Sequence, residues 1–167
     1  MKILIMRHGE AESLSRAGGI DAERNLTDFG RRQAQQAGRC IEQSGFVPDA
    51  VWVSPYRRAQ QTATGFLESF AGIASETLTA LVPDAAPAQL LDSLAQRSPV
   101  DSGIDNLMLV SHQPLVSFLV AGLSGLQPYA VPGMNPASMV MLECDQPLPG
   151  CCNILWQRHS PEFTVSH

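Results

Sequence analysis

Ile3-Leu4-Ile5-Met6-Arg7-His8-Gly9-Glu10 is the stretch on which the fold turns. Its first four residues are all apolar, so both faces of the segment must be covered, as in a strand of a parallel sheet with helices on either side. The run stops at Arg7, a residue rarely buried without a partner, and Arg-His-Gly has no packing reason to follow a buried strand. The chain therefore leaves the core at the carboxyl end of a strand, where open α/β sheets place their ligands. Gly9 permits backbone angles that other residues avoid and allows a ligand to approach the main chain closely. Taken alone, the stretch also fits a polar loop whose arginine pairs with a surface carboxylate. Two later strand ends decide between these readings.

Outward from this strand, Glu10 to Asn25 reads as a polar, glycine-containing loop that ends beside Arg24. Leu26-Thr27-Asp28 predicts a helix start, with Thr27 as N-cap and Asp28 favourable in the first turn. Gly30, Ala34, Ala37, Gly38 and Ile41 recur at helical spacing and give a small-residue face for close packing on a sheet, and Gly45 ends the helix. Asp49 to Val53 predicts a second strand, broken by Ser54-Pro55, with the proline in the first turn of the next helix. Ala59, Ala63, Phe66, Leu67 and Phe70 form that helix's buried stripe. A third strand is expected at Glu76 to Leu78 and a helix at Pro87 to Gln96. Asn106 to Val110 predicts a further strand, followed by a turn and a helix from Pro114 to about Leu123. After a long Gly/Pro-rich loop from Ser124 to Ala137, Ser138 to Glu143 and Asn153 to Gln157 predict a hairpin at a sheet edge. Such alternation of strand and helix specifies a three-layer α/β/α sandwich on a mostly parallel sheet.

Composition bounds the rest. A chain of 167 residues suits one domain spanning 1–167. Apolar content of 44% with charged content of 16% fits a globular protein and argues against disorder. Net charge of −5 gives no global attraction to nucleic acid or to an anionic membrane. The apolar start is too short for the core of a signal peptide, and Ser111-His112-Gln113-Pro114 interrupts the one later apolar tract. A cytoplasmic protein with free thiols is expected. Cys40, Cys144, Cys151 and Cys152 lack CxxC spacing and neighbouring histidines, which argues against zinc.

Three strand-to-helix turns then stand out: Arg7-His8, Ser54-Pro55-Tyr56-Arg57-Arg58 and Ser111-His112. If their strands are parallel, all three open on one edge of the sheet. Arg58 falls in the first turn of its helix, where free N–H groups and the helix dipole favour an anion. Two arginines and two histidines around one spot repel each other unless an anion joins them, and a phosphoryl group of about −1.5 to −2 charge does so. All cations except Lys2 are arginines, whose planar fork suits phosphate.

These residues carry a resemblance. Met6-Arg7-His8-Gly9-Glu10, Leu26-Thr27 with Gly30 and Gln33-Ala34, Ser54-Pro55 with Arg58-Ala59 and Gln61-Thr62, and Val110-Ser111-His112 with Pro114-Leu115 resemble, in order, the motifs of the histidine phosphatase superfamily, which also contains the phosphoglycerate mutases. The small size, with Leu81-Val82-Pro83 and Asn135-Pro136-Ala137-Ser138, looks more like SixA-type phosphohistidine phosphatases than mutases. The resemblance implies a phosphoglycerate mutase-like fold without a large lid insertion. It also implies His8 as nucleophile through a covalent phosphohistidine, with its other ring nitrogen donating to a backbone carbonyl. Arg7, Arg58 and His112 would then grip the phosphoryl oxygens, with Arg24, Gly9 and Ser54 near the substrate. Arg57 should point elsewhere. Neither cofactor nor metal is implied.

Larger relatives carry, between the second and third turns, an insertion bearing the acid that protonates the leaving group. Here Thr62 and His112 are separated by a short stretch, and Glu10, Asp21, Glu76 and Asp84 are the conceivable acids. An alkoxide needs such an acid, whereas a histidine protonated on its ring departs as neutral imidazole. The expected substrate is therefore a histidine-phosphorylated protein, a phosphotransfer domain of a two-component relay or a phosphocarrier of a sugar-transport system. A sugar or aryl phosphate monoesterase is the competing reading. A mutase lacks its lid, and a non-catalytic phosphoprotein-binding module would not need His8. Cys152 to Arg158 has the C-x5-R spacing of cysteine phosphatases, but the residues between read as a strand rather than an anion-wrapping loop. His159 and His167, in the polar tail, are expected to do no chemistry.

Overall fold

The computed structural model describes residues 1–97, 99–131, 133–161, 163 and 165–166, the last two by backbone alone; His167 lies outside them. In chain order the elements are β1 (Lys2–Arg7), α1 (Asp28–Gln43), β2 (Ala50–Val53), α2 (Arg57–Leu67), β3 (Ser75–Thr77), α3 (Pro87–Arg97), β4 (Asn106–Ser111), α4 (Leu115–Ser124), β5 (Met139–Glu143), β6 (Asn153–Arg158) and β7 (Val165–Ser166). They build one sheet of order β3-β2-β4-β1-β5-β6-β7. β1 to β4 run parallel, and β5 lies antiparallel against β1.

Successive residues of β1 serve opposite layers, as the unbroken apolar run requires. Ile3 and Ile5 pack with Trp52, Leu107 and Leu109 under α3 and α4, through Leu90, Leu94, Val116 and Leu119. Leu4 and Met6 pack with Val51, Val53, Met108 and Val110 under α1 and α2, through Ala37, Ile41, Ala63 and Phe66. The result is a three-layer α/β/α sandwich. β3 and α3 fill the interval between Thr62 and His112, with no large insertion.

Several boundaries differ from the sequence expectation. Helix α2 begins at Arg57 with Tyr56 as N-cap, so Pro55 shapes the turn before the helix rather than its first turn. The helix also stops at Leu67, leaving Phe70 to pack from the following turn by stacking on Phe66 at 5.3 Å. The small-residue face of α1 meets α2 and the β1 loop as well as the sheet. A Cβ on Gly38 would lie 2.3 Å from the Phe66 carbonyl oxygen, and one on Gly30 would lie 2.0 Å from that of Glu10. The β5–β6 hairpin forms, but β7 continues the sheet beyond it, so β6 is not the edge. The remaining ends agree to within a residue or two.

Candidate active site

β1, β2 and β4 end together, as their registers require: Arg7 lies beside Ser111 and Val53 beside Val110. The three turns that follow therefore meet at one edge of the sheet. Their histidines are drawn inward, and the rings of His8 and His112 stand 5.0 Å apart.

His8 is held through both ring nitrogens. Nδ1 lies 2.7 Å from the Gly9 carbonyl. A carbonyl only accepts, so Nδ1 carries the proton and Nε2 keeps its lone pair. Nε2 in turn accepts from Arg58 Nε at 3.2 Å. The main chain around the ring is fixed as well: the His8 N–H donates to Ser111 O, and Ala137 N–H donates to His8 O, both at 3.0 Å. Ala137 has φ of +60°, a conformation that costs a residue with a Cβ about 1–3 kcal/mol and concentrates at functional sites. Burial, reinforced by Arg58, Arg7 and Arg24 and opposed by the Gly9 bond, lowers the His8 pKa to about 3. The free ring is neutral, as a nucleophile must be.

His112 is held through one nitrogen. Nε2 lies 2.7 Å from Ser54 Oγ, the edge of the Tyr56 ring packs on the imidazole at 5.1 Å, and Nδ1, though buried, has no partner among the described residues. Burial, then His8 and the three arginines, lower its pKa to about 2. Arg7 is similar: Nη1 donates to Met134 O at 2.6 Å, while its buried Nε is left without a partner. Two buried polar nitrogens left without partners are unusual in a resting protein. They are the equipment of an anion site.

Arg58, only 4% exposed, is anchored from three sides. Besides His8, it donates through Nη1 to the Asp21 carbonyl at 2.7 Å and through Nη2 to Asp21 Oδ2 at 3.0 Å. Tyr56 lies beneath its guanidinium at 5.0 Å. Arg57 points away to Glu23. Arg24 donates to Glu12 O at 2.6 Å and to Asp21 Oδ1 at 3.0 Å, so Asp21 links it to Arg58.

Gly9 and Ser54 sit differently from the expectation that they face the substrate. The Gly9 N–H is occupied by Thr62 Oγ1 at 3.1 Å. A Cβ on Gly9 would come within 2.6 Å of the Gly30 carbonyl oxygen, and Gly9 is not among the residues of positive φ. The approach of α1 requires glycine there, without an unusual turn. The Ser54 hydroxyl is fully buried and engaged by His112 and the Tyr56 N–H. The other motif residues are braces too. Gln33 accepts from the Glu10 N–H at 2.8 Å, Gln61 from the Leu26 N–H at 2.7 Å, and Leu81 O from Ser111 Oγ at 2.8 Å.

Of the conceivable acids, Glu10 accepts from Thr27 Oγ1, Glu76 pairs with Arg97, Asp84 is exposed, and Asp21 alone touches the site. His159 contacts Ser138 Oγ at 2.8 Å. Cys152 leads into strand β6, and burial pushes its thiol pKa up, the reverse of what a thiolate nucleophile needs. Among the described residues no group of His, Cys, Asp and Glu is placed to hold a metal ion, and no helix is long and apolar enough to cross a membrane. A cavity of about 180 Å³ between Lys2, Ser44, Asn106 and Trp156 lies at the opposite edge of the sheet and is lined by neither histidine nor cysteine.

Comparison with known proteins places the chain in a family. The family model described as histidine phosphatase superfamily (branch 1) matches residues 3–82. The chain is 35% identical over 133 residues to a phosphohistidine phosphatase SixA homolog of Haemophilus influenzae, covering 75% of this chain and 78% of that protein. It is 31% identical to phosphohistidine phosphatase SixA of Escherichia coli over 74% of each. The structure of the protein histidine phosphatase SixA complexed with tungstate superposes with a TM-score of 0.80 at 25% identity, over 94% of this chain and 96% of that one. The chain belongs to the histidine phosphatase superfamily, among its SixA-type members. Its activity class is that of a phosphatase, a hydrolase.

Proposed function

We propose that the chain removes the phosphoryl group from a phosphohistidine on a partner protein, a phosphotransfer domain or a phosphocarrier, through a covalent intermediate on His8. The observation that carries this reading is the His8 ring, neutral and fixed by Gly9 O at one nitrogen, with its other nitrogen directed at Arg58. The SixA-named relatives support the choice of substrate, and the tungstate complex shows that such a protein takes up a tetrahedral oxyanion.

In the first half-reaction the Nε2 lone pair of His8 attacks phosphorus in line, and the Nε2–P bond forms as the substrate's N–P bond breaks. The bond pair returns to the substrate imidazole, which carries a proton on its other nitrogen and leaves neutral. Arg7, Arg58 and His112 donate to the three equatorial oxygens, where charge is spread in the transition state. Arg7 Nε and His112 Nδ1 are buried without partners among the described residues, and so are unspent before substrate arrives. For His112 to donate from Nδ1, its Nε2 must accept from the Ser54 hydroxyl, so Ser54 sets the tautomer of the second histidine. In the second half-reaction water attacks phosphorus and the Nε2–P pair returns to His8. The water hydrogens leave with the product phosphate, which then loses one to solvent.

The test is release of phosphate from a histidine-phosphorylated phosphotransfer or carrier protein, beside an aryl phosphate, with wild type and His8→Ala. Fast release from the protein, slow release from the ester and none from the variant are expected. Rapid aryl or sugar phosphate hydrolysis with the phosphohistidine untouched would instead identify a monoesterase.

A further inference from the structure

Asp21 is the one carboxylate in contact with the site's arginines among the described residues, and the chemistry above gives it no task. It stands in a short 3-10 turn, Asp21–Glu23, on the polar loop after β1. Its carboxylate is divided between two cations, with Oδ1 on Arg24 Nη1 and Oδ2 on Arg58 Nη2, both at 3.0 Å. Its carbonyl takes the other end of the same Arg58 guanidinium at 2.7 Å. One residue thus spans both Nη groups of Arg58, which leaves Nε facing His8. Arg24 closes the arrangement, since its Nε is pinned to Glu12 O.

We infer that Asp21 is a positioning residue that locks Arg24 and Arg58 into one unit over His8, and that it is not the proton donor to the leaving group. This inference rests on the function proposed above. The geometry separates the two roles. A general acid needs a proton to give at neutral pH and a carboxyl oxygen free to approach the leaving atom. Here both oxygens accept from cations. Burial tends to raise the Asp21 pKa, but the bonds from Arg24 and Arg58 outweigh it and hold the carboxyl below the usual range. The charge count also favours an ionised bridge. Arg7, Arg24 and Arg58 with ionised Asp21 and neutral histidines leave two net positive charges at the site, the complement of a phosphoryl dianion. Without the carboxylate, three cations crowd one another and the Arg58 fork loses the contact that fixes its angle.

The experiment measures kcat, KM and tungstate affinity for Asp21→Asn, Asp21→Ala, Arg24→Ala and the Asp21→Ala/Arg24→Ala double variant. The substrates are a histidine-phosphorylated carrier protein, p-nitrophenyl phosphate and phenyl phosphate. Asp21 is 45% exposed on its side chain, and Asp21→Asn keeps its shape, so folding is preserved. A misplaced clamp should lower kcat/KM by about 10- to 100-fold, by the same factor for both esters. Tungstate affinity should fall with it, and the double variant should lose much less than the product of the two single losses. A loss that grows from the nitrophenyl to the phenyl ester would make Asp21 an acid and overturn the inference. So would wild-type kinetics in both Asp21 variants, or multiplicative losses in the double variant. His8→Ala, run alongside, separates this inference from the function it rests on. Turnover surviving in His8→Ala removes both, whereas turnover lost there but unaffected by the Asp21 variants removes the bridge alone.

Discussion

The loops of His8 and His112 begin alike and end differently. Both follow apolar parallel strands paired in register, both histidines are buried, and both rings are driven neutral mainly by burial. Yet His8 has a partner on each nitrogen and a backbone tied to two other loops, whereas His112 has one partnered nitrogen and one open donor position. A nucleophile must keep its lone pair on a known atom and aim it. An oxyanion donor needs an unspent hydrogen held at a known angle. The proposed mechanism asks the first of His8 and the second of His112, and one sheet edge braces their loops differently: His8 against α1 through the Gly9–Gly30 approach, His112 against the β2 loop through Ser54.

Breaking the first half of this comparison should have the largest effect. His8→Ala should lower turnover by at least about 10⁴-fold while tungstate binding, measured by calorimetry, persists through the arginines. His112→Ala removes one donor to the transition state and should lower kcat by about 10²- to 10³-fold while still forming the phosphorylated intermediate. The shared neutrality of the rings can be tested by acid. Below pH 6.5 the unfolded chain takes up protons at both positions that the fold excludes, so stability falls as pH falls. That fall continues toward pH 3 for His8 and pH 2 for His112. Each ring adds at most about 1.4 kcal/mol per pH unit to the slope. Urea midpoints from pH 7 to 4 should therefore drop, and less steeply in His8→Gln.

The bracing can be loosened one side at a time. Gly30→Ala places a Cβ 2.0 Å from the Glu10 carbonyl oxygen and should cost about 1–3 kcal/mol by overpacking, with lost activity. Gly122→Ala, also within a helix, meets nothing nearer beyond its own helix backbone than Leu91 Cδ1, at an ordinary 3.6 Å, and should leave both nearly unchanged. Apart from that control, the smallest effect belongs to Ser54→Ala. Losing the buried Ser54–His112 hydrogen bond, worth about 0.5–1.5 kcal/mol, together with the longer one from the Tyr56 N–H, should lower kcat by about two- to tenfold, without changing the site of phosphorylation.

Much of this was legible in the sequence, for identifiable reasons. Ile3 to Met6 could satisfy only a strand covered on both faces. Thr27 is the N-cap expected, its Oγ1 accepting from the Gly30 N–H at 3.0 Å. Arg58, rather than Arg57, reaches His8 because the two project from different sides of α2. Less legible were roles that depend on what a distant segment brings. Gly9 reads as a ligand-approach glycine until Gly30 arrives from 21 residues away in the chain. Ser54 reads as a substrate contact until His112, 58 residues on, takes its hydroxyl. Gln33, Gln61 and Thr62 entered only as parts of a resemblance, and hydrogen bonds to loop backbone account for their side chains. Asp21 read only as one of four conceivable acids, because its bridging place depends on Arg58, 37 residues on, as well as on the nearby Arg24.

The central claim is that His8 Nε2 takes the phosphoryl group, and a rapid-quench experiment tests it most directly. Wild-type protein mixed with a 32P-labelled, histidine-phosphorylated carrier should yield a transient protein label that is stable in base and labile in acid. The label should map to the peptide containing His8 and be lost in His8→Ala. Label recovered on another residue, or undiminished in His8→Ala, would contradict the account.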